Sequence, residues 1–201
     1  MMLRIDISDA DALEKASRIL LAGGVVALPT ETVYGLVTPW GNEDGRYRIY
    51  ALKKRPAGKL LQMLASSLEM AEIAGVVCSE SVRKVVKRFC PGPITIVAPD
   101  RNGGSIGFRV PGNDFMLRLL NHLGSPLAAT SANLSGMPPA LTADAAVCEL
   151  DGEPDALLDG GKISITGGKA STVVSLLGDK PEILREGPIS LREILAALSA
   201  E

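Results

Sequence analysis

The stretch GGVVALPTETVYGLV, residues 23–37, decides the architecture. Its paired glycines, Gly23 and Gly24, close a preceding helical pattern. Residues 25–28 are an apolar run bounded by Gly and Pro, which is how a buried strand reads. Residues 29–32 form a loop, and residues 33–37 read as a second extended piece with no helix in between. Strands that follow one another directly point to α/β with a mixed sheet, rather than a doubly wound parallel one.

The pattern continues on both sides. Upstream, Ala12, Leu13, Ala16, Ile19 and Leu20 repeat at helical spacing, with Ser8 as the expected N-cap and Asp11 in the first turn. Downstream, helices are predicted over residues 44–52, 68–74, 81–89, 115–123, 143–150 and 191–198. Strands are predicted over 60–64, 94–98, 106–110, 127–130, 173–177 and 182–184. There is no repeat, linker or low-complexity tract, so residues 1–201 are expected to form one domain.

Composition narrows the function classes. Hydrophobic residues make up 46% and aromatics only 3%, so Leu, Ile, Val and Ala must fill the core. A formal net charge of −2 argues against a general nucleic-acid surface, though not against a local basic pocket. The three cysteines, Cys78, Cys90 and Cys148, are too scattered for a disulfide framework or structural zinc. Cys90 reads as a small buried hydrophobe. No apolar leader and no run of about 18 apolar residues is seen, so a soluble, cytoplasmic protein without membrane contact is expected.

Four polar segments sit beside apolar strands, where functional groups are commonly displayed. Thr30, Thr32 and Tyr34 place three hydroxyls within five residues; they can seat an amino acid or a phosphate, or simply cap a turn. Lys53, Lys54, Arg55 and Lys59 share a Pro- and Gly-containing loop that can gather phosphate charge or stay solvated. Thr130, Ser131 and Asn133 follow an apolar run; they can hold a nucleotide or form an Asn/Ser turn. Residues 167–172 with Arg185 suggest a phosphate cradle, but Ile163 breaks the P-loop pattern, and no GxGxxG exists. The single His122 falls within a predicted helix, so a His-based triad or zinc site is poorly supported.

Taken in order, these segments resemble the YrdC/TsaC family over about residues 10–198. PTETVYGL stands at 29–36, Lys53 and Arg55 match K-x-R, and Pro91 to Thr95 match PGP[LI]T. Arg109-Val110-Pro111, the S-x-N of Ser131 and Asn133 followed by Ser135-Gly136, STVV at 171–174 and the LR-x-G of Leu184 to Gly187 complete the series. Two departures stand out. A Pro and a His common after the basic loop are missing from residues 60–64, and the Gly common between Lys and Arg is Lys54.

The resemblance implies a YrdC-like twisted mixed sheet flanked by helices. It implies that L-threonine, bicarbonate or CO2 and ATP give threonylcarbamoyl-AMP and pyrophosphate, a nucleotidyltransferase reaction. The product would pass to a tRNA threonylcarbamoyltransferase complex. On this reading Lys53, Arg55, Ser131 and Asn133 are catalytic. Thr30, Thr32, Tyr34, Arg109 and Ser171 hold threonine. Lys53, Arg55, Lys59, Thr130, Ser131, Asn133 and Arg185 hold ATP. Mg2+ is expected to arrive with ATP, without a dedicated protein cage. Weak tRNA binding is a further expectation, and an RNA- or tRNA-binding module and a catalytically inactive regulatory paralogue are the alternatives.

Overall fold

The structure, a computed structural model, describes residues 1–163 and 169–200. In chain order the elements are β1 (Leu3–Asp6), α1 (Ala12–Leu21), β2 (Val26–Pro29), β3 (Tyr34–Pro39) and α2 (Glu43–Leu52). Then come β4 (Gln62–Leu64), α3 (Leu68–Ile73), α4 (Glu80–Phe89), β5 (Ile94–Pro99), β6 (Ser105–Arg109) and α5 (Asp114–Leu123). β7 (Leu127–Ser131), α6 (Ala143–Cys148), β8 (Ala156–Asp159), β9 (Thr172–Ser175), β10 (Glu182–Arg185) and α7 (Leu191–Ser199) complete the described residues. No helix among them is long and apolar enough to cross a membrane.

All ten strands join one sheet in the order β1-β8-β2-β3-β7-β4-β6-β5-β9-β10. β2 and β3 pair antiparallel across the 29–33 loop, with Leu28 opposite Gly35. β1/β8, β2/β8, β4/β6 and β5/β9 are parallel. The sheet is therefore mixed, as successive strands without helices between them predict.

Period-two alternation sorts the side chains into layers. Val26, Leu28 and Val37 point to the face covered by α1 and α5, while Val25, Ala27 and Leu36 point to the face covered by α2 and α6. Met63, Ile96 and Phe108 pack under α3, α4 and α7. Met63 pairs with Ala128, so it shares the α2/α6 side of the sheet. One face is thus covered along its whole width. On the other, the cover of α1 and α5 reaches Ala129 and Leu64, and no described helix lies over β6, β5, β9 and β10. That bare half is where the cavity forms.

Local chemistry fixes the helix ends. In α4 the Ser79 hydroxyl accepts from Val82 N–H, and Lys87 and Arg88 sit in the last turn, where the helix dipole favours cations. Its basic residues serve the surface: Arg83 pairs with Glu72, and Lys84 donates to the Leu198 carbonyl. A capping box of Ser190 and Glu193 opens α7.

The expected and observed elements differ in three ways. The N-cap of α1 is Asp11, without a side-chain cap bond, because the Ser8 hydroxyl is bound to Asp6. β1 and β8 are strands that periodicity did not predict. β1 buries only Ile5, and β8 offers only three buried apolar residues, Ala156 to Leu158, before Asp159. Boundaries elsewhere move by one residue, and by two at the end of β3, the start of β4 and the ends of β9 and α6.

Candidate active site

The bare half of the sheet carries a cavity of about 280 Å3. Alternation selects its lining: in β5, Thr95 and Val97 face it while Ile94 and Ile96 go to the core. Gln62 of β4, Gly107 and Arg109 of β6, and Ser171 at the head of β9 face the same way. The loop after β2 adds Thr32, the basic loop adds Arg55, and β10 adds Arg185. A recess of about 20 Å3 shares Gln62, Arg109, Thr130 and Ser131 with it and adds Thr30 and Gly35. The 29–36 segment and the basic loop therefore meet in one space.

Three guanidiniums define its electrostatics. Arg109 is 3% exposed; its Nε donates to the Gly92 carbonyl at 3.3 Å, and its Nη2 contacts Glu31 Oε1 and donates to Thr32 Oγ1 at 3.0 Å. Arg185 clamps Ser171, giving Nε and Nη2 to its carbonyl at 3.0 and 2.8 Å and Nη2 to its hydroxyl at 2.9 Å. Arg55 donates to the carbonyls of Lys59 and Leu60 at 2.8 and 2.9 Å, which shapes its own loop. No hydrogen bond among the described residues uses Nη1 of Arg109 or Arg185.

No Asp or Glu is among the described residues that line the cavity. The Arg185 guanidinium is held below its ordinary range by burial first, then by the charges of Arg109 and Arg55. Burial likewise lowers Arg55. Among the described residues the site thus carries positive charge in excess of Glu31, the buried acid paired with Arg109, and suits a polyanion.

Lys53 sits one shell behind this wall. It is 1% exposed and donates through Nζ to the carbonyls of Ser131 and Asn133. Burial, then the Arg55 charge, pushes it down to about 8. Its ammonium is thus a tether for the Ser131–Asn133 segment. Asn133 also faces inward, donating to the carbonyls of Leu134 and Met137 at 2.7 and 2.8 Å.

Tyr34 corrects another expectation. It points to the α2/α6 side, because its neighbour Gly35 takes the cavity side. Its hydroxyl donates to the Gly161 carbonyl at 2.8 Å and accepts from Gly160 N–H at 3.0 Å. Thr30 stays beside the recess, but its hydroxyl donates to the Val33 carbonyl at 2.7 Å and accepts backbone N–H from Thr32 and Val33, so it braces the loop. The Lys59 side chain is exposed and does not line the cavity. The described structure thus brings Thr32, Arg55, Arg109, Thr130, Ser131, Ser171 and Arg185 together. Gly167 and Gly168 of the proposed cradle lie outside the described residues.

Sequence reasoning missed Glu31, Gln62 and Thr95 as site residues. A lone acid between two threonines, and a polar residue alternating with Leu61 and Met63, were the available signals. Two sequence features gain a physical reason. Lys54 takes φ +47°, the left-handed conformation that favours glycine at this spot. A Cβ on Gly187 would lie 2.2 Å from the Thr172 nitrogen, so only glycine fits there. Cys90 is held up at about 11 by burial and is a poor nucleophile.

The family model Sua5/yciO/yrdC, described as "Telomere recombination", matches residues 18–187. The threonylcarbamoyl-AMP synthase of Bacillus subtilis is 34% identical over 197 residues, covering 92% of this chain and 56% of that protein. The threonylcarbamoyl-AMP synthase of Pyrococcus abyssi is 35% identical over 188 residues, covering 89% and 55%. The chain thus spans a little over half the length of these curated relatives. The crystal structure of P. abyssi Sua5 complexed with L-threonine superposes with a TM-score of 0.89 at 31% identity, covering 99% of this chain and 61% of that one. The chain is a member of the Sua5/yciO/yrdC family.

Proposed function

We propose that this chain is a threonylcarbamoyl-AMP synthase, joining L-threonine, bicarbonate or CO2 and ATP with release of pyrophosphate. The observation that carries this reading is one cavity in which Arg55, Arg109 and Arg185 converge beside the hydroxyls of Thr32, Thr130, Ser131 and Ser171. Relatives bearing that name, and a family structure holding L-threonine, support it.

The threonine amine adds to CO2, forming a C–N bond and losing a proton to give a carbamate. A carbamate oxygen then attacks the α-phosphorus of ATP, and pyrophosphate leaves with the electron pair of the broken P–O bond. Arg109 and Thr32 hold the amino acid, with Thr30 bracing their loop. Arg55 and Arg185 receive phosphate oxygens, and Lys59 can swing in from the rim. Thr130 and Ser131 face the nucleotide, while Lys53 and Asn133 keep their backbone in place. Tyr34 acts as a brace from the far face. Catalysis is by positioning and charge stabilisation.

Among the described residues no three His, Cys, Asp or Glu side chains could hold a metal ion. Magnesium accompanying ATP would be carried by phosphate oxygens and water, where it would neutralise phosphate charge. We place the reaction in the cytoplasm, with residues 1–201 acting as one unit that hands its product to a tRNA threonylcarbamoyltransferase complex.

The test is incubation with ATP, bicarbonate and labelled threonine, followed by separation of adenylated products. Label in a threonine-dependent AMP conjugate, with matching pyrophosphate, is the expected result. Pyrophosphate release that ignores the omission of threonine would reject the reading.

A further inference from the structure

Four polar groups, Gln62 of β4, Thr95 of β5, Ser171 just before β9 and Arg185 of β10, form a chain across the bare half of the sheet, passing over β6 between the first two. Arg185 Nη2 donates to Ser171 Oγ at 2.9 Å. Ser171 Oγ lies 2.9 Å from Thr95 Oγ1, and Thr95 Oγ1 donates to Gln62 Oε1 at 2.7 Å. A hydroxyl has one proton to give. Thr95 gives its proton to Gln62, so Ser171 must donate to Thr95 and receive Arg185 on a lone pair. The chain therefore runs one way, from Arg185 to Gln62. Thr95 and Ser171 are almost fully buried, which shields these bonds from competing water.

With its oxygen committed to Thr95, Gln62 keeps its amide nitrogen for the cavity. No hydrogen bond among the described residues uses that nitrogen, and it is not among the buried atoms lacking a partner, so it is open to the space Gln62 lines. Arg109 lines the same cavity and the same recess from the adjoining strand, where Leu64 pairs with Arg109. Gly107 lies on the floor beside them without a side chain. A neutral N–H2 and a guanidinium thus face one small space from neighbouring strands. Glu31 and Thr32 already engage Nη2 of Arg109, and no hydrogen bond among the described residues uses its Nη1.

We propose that Gln62 is a substrate-binding residue that, together with Arg109, receives the carboxylate of the amino-acid substrate, and that Thr95 fixes the Gln62 amide as a donor. This rests on reading the cavity as a threonine site.

The experiment is calorimetric titration of L-threonine into the unaltered protein and into Gln62→Leu, Gln62→Glu and Thr95→Val. ATP affinity and melting temperature are measured on each. Gln62→Leu removes one donor to a charged group and raises the threonine Kd about 10-fold or more. Gln62→Glu has the same shape and still accepts from Thr95, but sets a negative charge against the carboxylate; its Kd rises further, beyond about 100-fold. Thr95→Val frees the amide to rotate and gives a smaller rise, about 3-fold. ATP affinity stays within about 2-fold throughout. A purely structural role predicts the reverse order, with Gln62→Glu close to the unaltered protein and Gln62→Leu worst, and that order overturns the proposal. Unchanged threonine binding in both Gln62 variants also overturns it, while leaving the synthase reading intact. Failure of the unaltered protein to bind L-threonine would remove both.

Discussion

Replacing Lys53 with methionine tests the electrostatics of the cavity wall. Lys53 is nearly inaccessible, and its ammonium is pushed down to about 8 from the ordinary 10.5. Below pH 8 the side chain is charged in both folded and unfolded chains, and the cost of burying the charge stands in full. Between pH 8 and 10.5 the folded chain releases the proton while the unfolded chain keeps it, so stability rises with pH through that window. The neutral amine retains two N–H groups for the Ser131 and Asn133 carbonyls, and the tether survives. Methionine has similar length and no proton. The stability of the unaltered protein minus that of Lys53→Met is therefore expected to climb by about 2 kcal/mol between about pH 7.5 and about pH 9.5. The subtraction cancels the other titrating groups. Urea unfolding at closely spaced pH values, followed by the fluorescence of the single tryptophan, Trp40, measures it. Parallel stability curves for the two proteins would refute the assignment of a depressed, proton-releasing lysine.

Three further outcomes are expected. Glu31→Gln leaves the buried Arg109 charge without its counter-ion and is expected to cost about 3–5 kcal/mol. That lowers the melting temperature by about 10 °C; a fall under about 2 °C in scanning calorimetry would contradict it. Lys54→Gly relieves a left-handed backbone at the price of glycine's extra chain entropy, for a net gain of about 0.5 kcal/mol; a comparable loss in urea midpoints would count against the strain. Thr32→Ala removes a hydroxyl that accepts from Arg109 at the cavity, so threonine use falls about 10-fold while ATP binding holds. Equal losses for both ligands would take Thr32 out of the amino-acid end.

Much of this was legible because buried strands leave a plain mark. Val25 to Leu28 divide cleanly between two helix layers, as alternation requires. β8 was overlooked although Ala156 to Leu158 form an apolar run between Pro154 and Gly160, bounded much as Val25 to Leu28 are; it carries only three apolar residues before Asp159, and its place between β1 and β2 shows only in the sheet. Cavity residues were recognisable by type, but not by direction. Tyr34 and Gly35 are neighbours with opposite faces, and nothing in PTETVYGL says which one meets the ligand. Lys53 looked like a phosphate contact because its charge is evident in sequence, whereas its reach back to the Ser131 and Asn133 carbonyls depends on where β7 ends. Gln62 gained meaning only when Thr95, Ser171 and Arg185 arrived beside it from distant segments.

The placement of β8 between β1 and β2, and of β9 beside β5, sets the order in which a growing chain can finish itself. While a ribosome is still threading out the middle of the polypeptide, β1 has nothing to pair with and β5 offers a raw edge. Ser171 and Arg185 emerge only after every strand up to β8. A prematurely stopped product would thus expose sticky strand borders beside an unfinished cavity, and would head for aggregation or proteolysis.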